Sequence, residues 1–167
     1  MIRPRNVLEI GTFTGYSTLS IAAGLEDGAC IDTVEVNDEM QEIYKDFFAR
    51  SPHGDKIQPH IGSALDVVPK LNKTFDLVFI DGCKKEYPEY FNMLMGNGVF
   101  HGNGQLVRSG SYIIADNILW YGKVAEETPK DVDTHAIVAF NRMVVEDNRV
   151  ENLILPFRDG LNLIRVI

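Results

Sequence analysis

Short apolar runs alternate along the chain with segments whose apolar residues recur at helical spacing. Runs rich in β-branched residues predict buried strands at residues 7–10, 31–36, 56–61, 75–80 and 111–115. The intervening segments predict helices at residues 16–25, 38–50, 64–71 and 86–95. This alternation predicts right-handed crossovers and a doubly wound, mostly parallel α/β sheet covered on both faces, with ligands at the carboxyl ends of the strands.

The C-terminal part of the chain follows a different pattern. A helix is predicted over residues 134–145, followed by strands at residues 152–155 and 161–167 that a short turn joins. Two strands with so short a connection predict an antiparallel hairpin at the C-terminus. Residues 95–105 are rich in glycine and asparagine, and we expect a surface loop there.

Length and composition predict a single domain over residues 1–167. The chain is 45% hydrophobic, and no apolar run approaches the roughly 20 residues of a membrane helix. There is no apolar signal segment, and two cysteines, Cys30 and Cys83, cannot form a disulfide framework. We therefore expect a soluble cytoplasmic protein. The formal charge of −8 disfavours a polyanionic partner.

The first predicted strand runs into a glycine turn and then a helix. Gly11 and Gly15 would let the backbone approach a ligand closely. The glycine spacing is GxxxG, whereas a dinucleotide pyrophosphate requires GxGxxG, and no phosphate-loop motif with its lysine is present. A ligand without phosphates therefore fits this turn better.

Glu35 ends the second predicted strand, where an acidic residue in such folds accepts hydrogen bonds from both ribose hydroxyls. Taken alone, the glycines could simply form a tight turn, and Glu35 could be a solvated strand end. Together, at the spacing of consecutive strands in one βαβ unit, they indicate S-adenosylmethionine.

Oxygen-bearing side chains follow two further strands. Asp81 ends one, and Asp116 and Asn117 end the next. Two carboxylates and an amide suit Mg²⁺, or alternatively Ca²⁺ or Mn²⁺. Lys84 follows Asp81 by three residues and is a candidate general base, because burial and a neighbouring cation favour the neutral amine. The alternatives are helix-capping aspartates and a solvated lysine pair, Lys84 and Lys85.

At these residues the sequence resembles the metal-dependent O-methyltransferases, which include the catechol and caffeoyl-coenzyme A enzymes. The resemblance runs from residue 7 to the C-terminus, and five stretches carry it: residues 7–17, the strand with Glu35, and residues 62–66, 81–87 and 116–122. It implies a Rossmann-like S-adenosylmethionine-dependent methyltransferase fold. A metal would hold two adjacent oxygens of an ortho-diphenol, so that one attacks the sulfonium methyl.

The resemblance also implies roles for individual residues. Lys84 matches the proposed base, Asp81, Asp116 and Asn117 would bind the metal, and Asp81 would also border the cofactor. The remaining residues implied to line the cofactor pocket are Glu9, Gly11, Phe13, Ser17 and Glu35, with Ala64 beside the adenine.

Two departures from the family's pattern concern the substrate and the N-terminus. Animal catechol enzymes carry a carboxylate where this chain has Leu153, whereas Leu119 and Trp120 are more similar to the caffeoyl-coenzyme A and bacterial branch. Members of the family also have N-terminal helices that cover the substrate and help to form a dimer. This chain begins almost at its first strand, so we expect a truncated form of a homodimeric enzyme.

Methylation of a small vicinal-dihydroxy phenol is the leading hypothesis for function. Methylation of a wobble 5-hydroxyuridine in tRNA is an alternative, against which the negative charge argues. A second alternative is a truncated domain that binds S-adenosylmethionine without turnover. The glycine spacing disfavours a nicotinamide-dependent oxidoreductase.

Overall fold

The computed structural model describes residues 2–96, 105–128 and 130–167. It contains a seven-stranded sheet in the order β3-β2-β1-β4-β5-β7-β6. The strands are β1 Asn6–Ile10, β2 Cys30–Glu35, β3 Ile57–Ile61, β4 Leu77–Ile80, β5 Tyr112–Asp116, β6 Val150–Leu155 and β7 Leu161–Val166. Most of the loop expected at residues 95–105 lies outside the described residues.

The pairing of the strands confirms the predicted fold class. Strands β1 to β5 pair in parallel, whereas β7 is antiparallel to both β5 and β6. The chain proceeds outward from β1 to β3 and then returns to place β4 on the other side of β1. Doubly wound sheets bind ligands at such a reversal, outside the carboxyl ends of the strands.

The predicted helices are present, and short 3₁₀ segments extend several of them. The helices are α1 Tyr16–Ala23, α2 Gln41–Arg50, α3 Ala64–Val67, α4 Tyr87–Leu94 and α5 Val132–Glu146. The 3₁₀ segments are Asp38–Met40, Gly54–Lys56, Val68–Leu71, Lys84–Glu86 and Trp120–Ala125, the last of which is interrupted by left-handed backbone at Tyr121 and Gly122. The helix predicted at residues 64–71 changes to 3₁₀ geometry beside Pro69, which has no backbone N–H to continue an α-helix. No described helix is long and apolar enough to cross a membrane.

Apolar residues form two buried clusters on opposite faces of the sheet. The larger cluster joins residues of α3, α4 and α5 to strand residues such as Leu8, Val78 and Ile113, and the smaller joins α1 and α2 to Val7 and Ile31.

On the sheet face that carries the smaller cluster, the described residues do not fully cover strands β4 to β7. There Leu153 is 58% exposed and Leu155 39% exposed, and their partly exposed neighbours are Phe79, Ile114, Leu161 and Leu163. The expectation of helices on both faces is therefore met only in part by the described residues.

Candidate functional site

A cavity of about 1040 Å³ opens at the carboxyl ends of β1, β2, β4 and β5, where the order of the strands reverses. It is large enough for a drug-sized ligand and a smaller partner. Seven of the residues predicted for the site line this cavity: Gly11, Phe13, Ser17, Glu35, Ala64, Asp81 and Asp116. The structure therefore brings most of the predicted cofactor residues and two of the three predicted metal ligands to one cavity, whereas Glu9, Gly15 and Asn117 do not line it.

The turn after β1 requires glycine at two positions for different reasons. Gly11 has φ +104°, and a Cβ atom there would lie 2.4 Å from the main-chain oxygen of Asp81. The backbone of Gly11 therefore forms part of the cavity wall, and a side chain at this position would clash with the main chain of Asp81. Gly15 has φ +83°, and its Cβ would lie 2.5 Å from the ring of Phe48. Gly15 does not line the cavity, and its close approach is to α2.

The Glu35 carboxylate is fixed by two backbone donors. Its Oε2 accepts the N–H of Phe13 at 2.8 Å, and its Oε1 accepts the N–H of Asn37 at 2.9 Å. The residue is only 9% exposed and lines the cavity. Each carboxylate oxygen keeps acceptor capacity after these two bonds. Glu35 can thus accept hydrogen bonds from a diol in the cavity without first changing its conformation.

Glu9 lies beneath this turn and is fully buried in β1. Its Oε2 accepts hydrogen bonds from the hydroxyls of Thr18 in α1 and Thr33 in β2, whereas Oε1 has no partner among the described residues. Burial raises the pKa of Glu9, and the hydroxyl donors oppose that rise only partly. Glu9 is not among the cavity-lining residues. It links β1, β2 and α1 under the site.

Two carboxylates, those of Asp81 and Asp116, line the cavity at the ends of β4 and β5, whereas Glu35 lies at the end of β2. Asp81 follows β4 and Asp116 ends β5, so adjacent parallel strands bring both to the same edge. Burial raises the pKa of Asp116, and the charge of Asp81 adds to this, while the N–H that Asn117 donates to Oδ1 at 2.6 Å and the charge of Lys84 oppose it. Such mutual repulsion favours a bound cation. Asn117 is not cavity-lining, and no cluster of three or more Asp, Glu, His or Cys side chains in the described residues could hold a metal.

Lys84 does not line the cavity, but it contacts Asp81, which does. Its Nζ donates to Asp81 Oδ1 at 2.7 Å and to the phenol oxygen of Tyr87 at 2.6 Å, and its side chain is 11% exposed. Lys85 is exposed, so the two lysines are not equivalent. Sequence reasoning placed Lys84 at the site but missed Tyr87. The available signal was the spacing of three residues, which places both side chains on one face of a helical segment.

Asp159 is the second residue that sequence reasoning missed. It lies between β6 and β7, where its main-chain oxygen accepts the N–H of Leu119 at 2.9 Å and its Oδ1 accepts the N–H of Tyr121 at 2.7 Å. These bonds hold the segment that follows Asn117. Tyr121 and Leu119 precede Asp159 by 38 and 40 positions in the sequence, so no local pattern could predict these contacts.

A family profile, related sequences and solved structures all match this chain to O-methyltransferases. The sequence profile of the O-methyltransferase family matches residues 1–167. Caffeoyl-CoA O-methyltransferase of Petroselinum crispum is 32% identical over 179 residues, which cover all of this chain and 70% of that protein. Catechol O-methyltransferase of Niastella koreensis is 30% identical over 159 residues, covering 93% of this chain and 68% of that protein. The crystal structure of the O-methyltransferase from Bacillus cereus in complex with SAH superposes with a TM-score of 0.88 at 30% identity, covering 98% of this chain and 74% of that one.

Proposed function

The chain belongs to the O-methyltransferase family, and we propose that residues 1–167 act as one domain that transfers the methyl group of S-adenosylmethionine to a hydroxyl of a small vicinal-dihydroxy phenol. The structure of the Bacillus cereus relative contains SAH, the product that S-adenosylmethionine leaves after transfer. The names of the Petroselinum crispum and Niastella koreensis relatives indicate acceptors that carry a catechol or caffeoyl group.

One observation carries this proposal: the fixed Glu35 carboxylate and the Asp81–Asp116 pair line the same cavity. Glu35 would accept hydrogen bonds from the ribose hydroxyls, while the bare backbone at Gly11 leaves room for the ligand between the two acidic ends. Phe13, Ser17 and Ala64 supply further contacts around the cofactor. Glu9 and Gly15, which the cavity does not expose, would act by fixing the turn from beneath.

The donor set fits a divalent cation. The carboxylates of Asp81 and Asp116 repel each other at this end of the cavity, and the single ammonium of Lys84, 2.7 Å from Asp81, balances only one of their two charges. We propose that these two carboxylates and the amide of Asn117 hold the cation, with Mg²⁺ as the first choice and Ca²⁺ or Mn²⁺ as alternatives. When bound, the cation would neutralise negative charge and lower the pKa of a phenol hydroxyl.

The residues of the chain would then perform positioning and proton transfer. The phenol oxygen attacks the methyl carbon as the bond from that carbon to sulfur breaks, leaving SAH and a methyl ether. The phenol proton passes to Nζ of Lys84. As an ammonium bonded to Asp81, Lys84 cannot accept a proton, so it first has to lose one to solvent.

An acceptor panel tests the proposal. The full chain would be incubated with S-adenosylmethionine and Mg²⁺ together with catechol, its mono-methylated analogue guaiacol, a caffeoyl thioester, or tRNA containing 5-hydroxyuridine. Formation of SAH is then measured by mass spectrometry. We expect turnover with the two vicinal diols and little with guaiacol, which lacks the second free hydroxyl. Turnover with tRNA alone would replace this proposal with the tRNA alternative, and tight SAH binding without turnover on any acceptor would indicate a non-catalytic domain.

A further inference from the structure

The segment that follows Asn117 is held in a strained conformation. Asn117, Trp120 and Tyr121 have φ values of +60°, +46° and +57°, in the left-handed region that side chains with a Cβ disfavour. Tyr121 is also 81% exposed, so its own packing does not hold it there. Such strain persists only where the surrounding structure imposes it, and it is concentrated at functional sites.

The turn between β6 and β7 imposes this conformation. The N–H of Ile118 donates to the main-chain oxygen of Gly160 at 3.2 Å, and the N–H of Leu119 donates to that of Asp159 at 2.9 Å. The third bond, from the N–H of Tyr121 to Asp159 Oδ1 at 2.7 Å, is the one of the three that depends on a side chain. The turn also packs closely on the segment, since a Cβ on Gly160 would lie 2.5 Å from Cγ of Leu119.

We propose that Asp159 is a positioning residue for the cation site. By holding Tyr121, its carboxylate fixes the strained segment and thereby the orientation of Asn117, which lies at the start of that segment. This inference rests on the proposed function, because it assumes that Asn117 and Asp116 hold a cation. Asp159 would thus strengthen cation binding through Tyr121 and Asn117, without contacting the cation itself.

Two substitutions separate this role from an effect of charge. In Asp159→Asn the amide oxygen can still accept the N–H of Tyr121, whereas Asp159→Ala removes that acceptor, and both variants remove the negative charge. Mn²⁺ would be titrated into the full chain with SAH present, and free Mn²⁺ measured by electron paramagnetic resonance. We expect Asp159→Ala to weaken Mn²⁺ binding by about 10-fold, the lower end of the effect of losing a contact that supports a metal ligand, because Asp159 holds Tyr121 and not a ligand itself. Asp159→Asn should retain most of the affinity, and SAH binding should be unchanged in both.

Equal weakening of Mn²⁺ binding in the two variants would overturn the positioning role and leave only a loss of charge. Unchanged binding in Asp159→Ala would overturn it as well. If Asp159→Ala does not fold, Asp159→Ala combined with Tyr121→Gly relieves the strain, because glycine adopts a φ of +57° without penalty. A double variant that folds and binds SAH should still bind Mn²⁺ more weakly than wild type, because the Tyr121 end of the segment is no longer held. Wild-type affinity would contradict the inference. If the wild-type chain binds no Mn²⁺, the proposed cation site itself fails, and this role of Asp159 with it.

Discussion

Lys84 Nζ lies 2.6 Å from the phenol oxygen of Tyr87, a hydroxyl located at the carboxyl ends of β4 and β5. The Tyr87 hydroxyl in turn lies within donating distance of the main-chain oxygens of Ile80, at 3.2 Å, and Asp116, at 3.0 Å. Burial raises the pKa of Tyr87, and the charges of Asp81 and Asp116 raise it further, so the phenol stays neutral. A buried neutral phenol thus positions Lys84 relative to the carboxylate pair.

Substitution of Lys84 should affect the rate of methyl transfer far more than substitution of its neighbour. Lys84→Ala should lower the rate by roughly 10²- to 10⁴-fold, the usual contribution of a general base, with SAH affinity nearly unchanged. Part of this loss should be recovered at higher pH, where hydroxide can take the proton. Lys85→Ala is the matched control and should have little effect, because Lys85 is exposed. Equal small effects on the steady-state rate would exclude Lys84 as the base.

Removal of the Glu35 carboxylate should weaken cofactor binding. Glu35→Ala should reduce the affinity for SAH by about 1–3 kcal/mol, since a hydrogen-bonded charged partner is lost from a largely buried site. Glu42→Ala, an exposed position in α2, serves as the control for loss of one negative charge. Isothermal titration calorimetry measures both, and unchanged affinity in Glu35→Ala would remove this residue from the cofactor site.

Chelation should separate cofactor binding from turnover. We expect EDTA to abolish methyl transfer while calorimetry still detects SAH binding, because the proposed cation organises the acceptor and not the adenosyl group. Adding back Mg²⁺ should restore activity. Full turnover in chelator, with trace metal removed beforehand, would argue against the cation role of Asp81, Asp116 and Asn117.

Buried Glu9 should give stability a particular dependence on pH. Burial raises the pKa of Glu9 above its ordinary 4.5. The folded protein therefore holds the Glu9 proton more tightly than the unfolded chain does, which stabilises the fold fully below pH 4.5. This stabilisation is lost as pH rises through the folded-state pKa. Glu9→Gln remains neutral throughout. The stability of the variant relative to wild type should therefore increase from about pH 4.5 upward, as measured by urea denaturation at several pH values. A difference that stays constant with pH would show that Glu9 is not penalised by burial.

Much of the fold could be predicted from the sequence because hydrophobic runs determine which segments are buried. The predicted first strand, residues 7–10, and the hairpin at the C-terminus match β1 and the β6–β7 pair closely. The 3₁₀ segment Trp120–Ala125 could not be predicted, because its backbone depends on the distant turn at Asp159 and Gly160. Local patterns carry no information about such contacts.

The candidate site was predictable wherever a functional side chain ends or directly follows a strand. Glu35 and Asp116 are the last residues of their strands and Asp81 is the first residue after its strand, and parallel strands bring such positions to one edge. Glycine spacing was less informative. It marks Gly11 and Gly15 alike, yet Gly11 faces the cavity and Gly15 faces Phe48. The neighbouring group that leaves no room for a side chain at each glycine is set by packing between elements. The sequence pattern does not specify that packing.

The most direct test of methyl transfer to oxygen follows the methyl group itself. S-adenosylmethionine labelled with ¹³C in its methyl group would be incubated with the full chain, Mg²⁺ and catechol, and the products followed by nuclear magnetic resonance. The proposed function predicts that the labelled signal moves from the sulfonium methyl to a methyl ether on one catechol oxygen, together with formation of SAH. A label that remains on the cofactor with this acceptor and a caffeoyl thioester, or that appears on carbon or nitrogen, would contradict it.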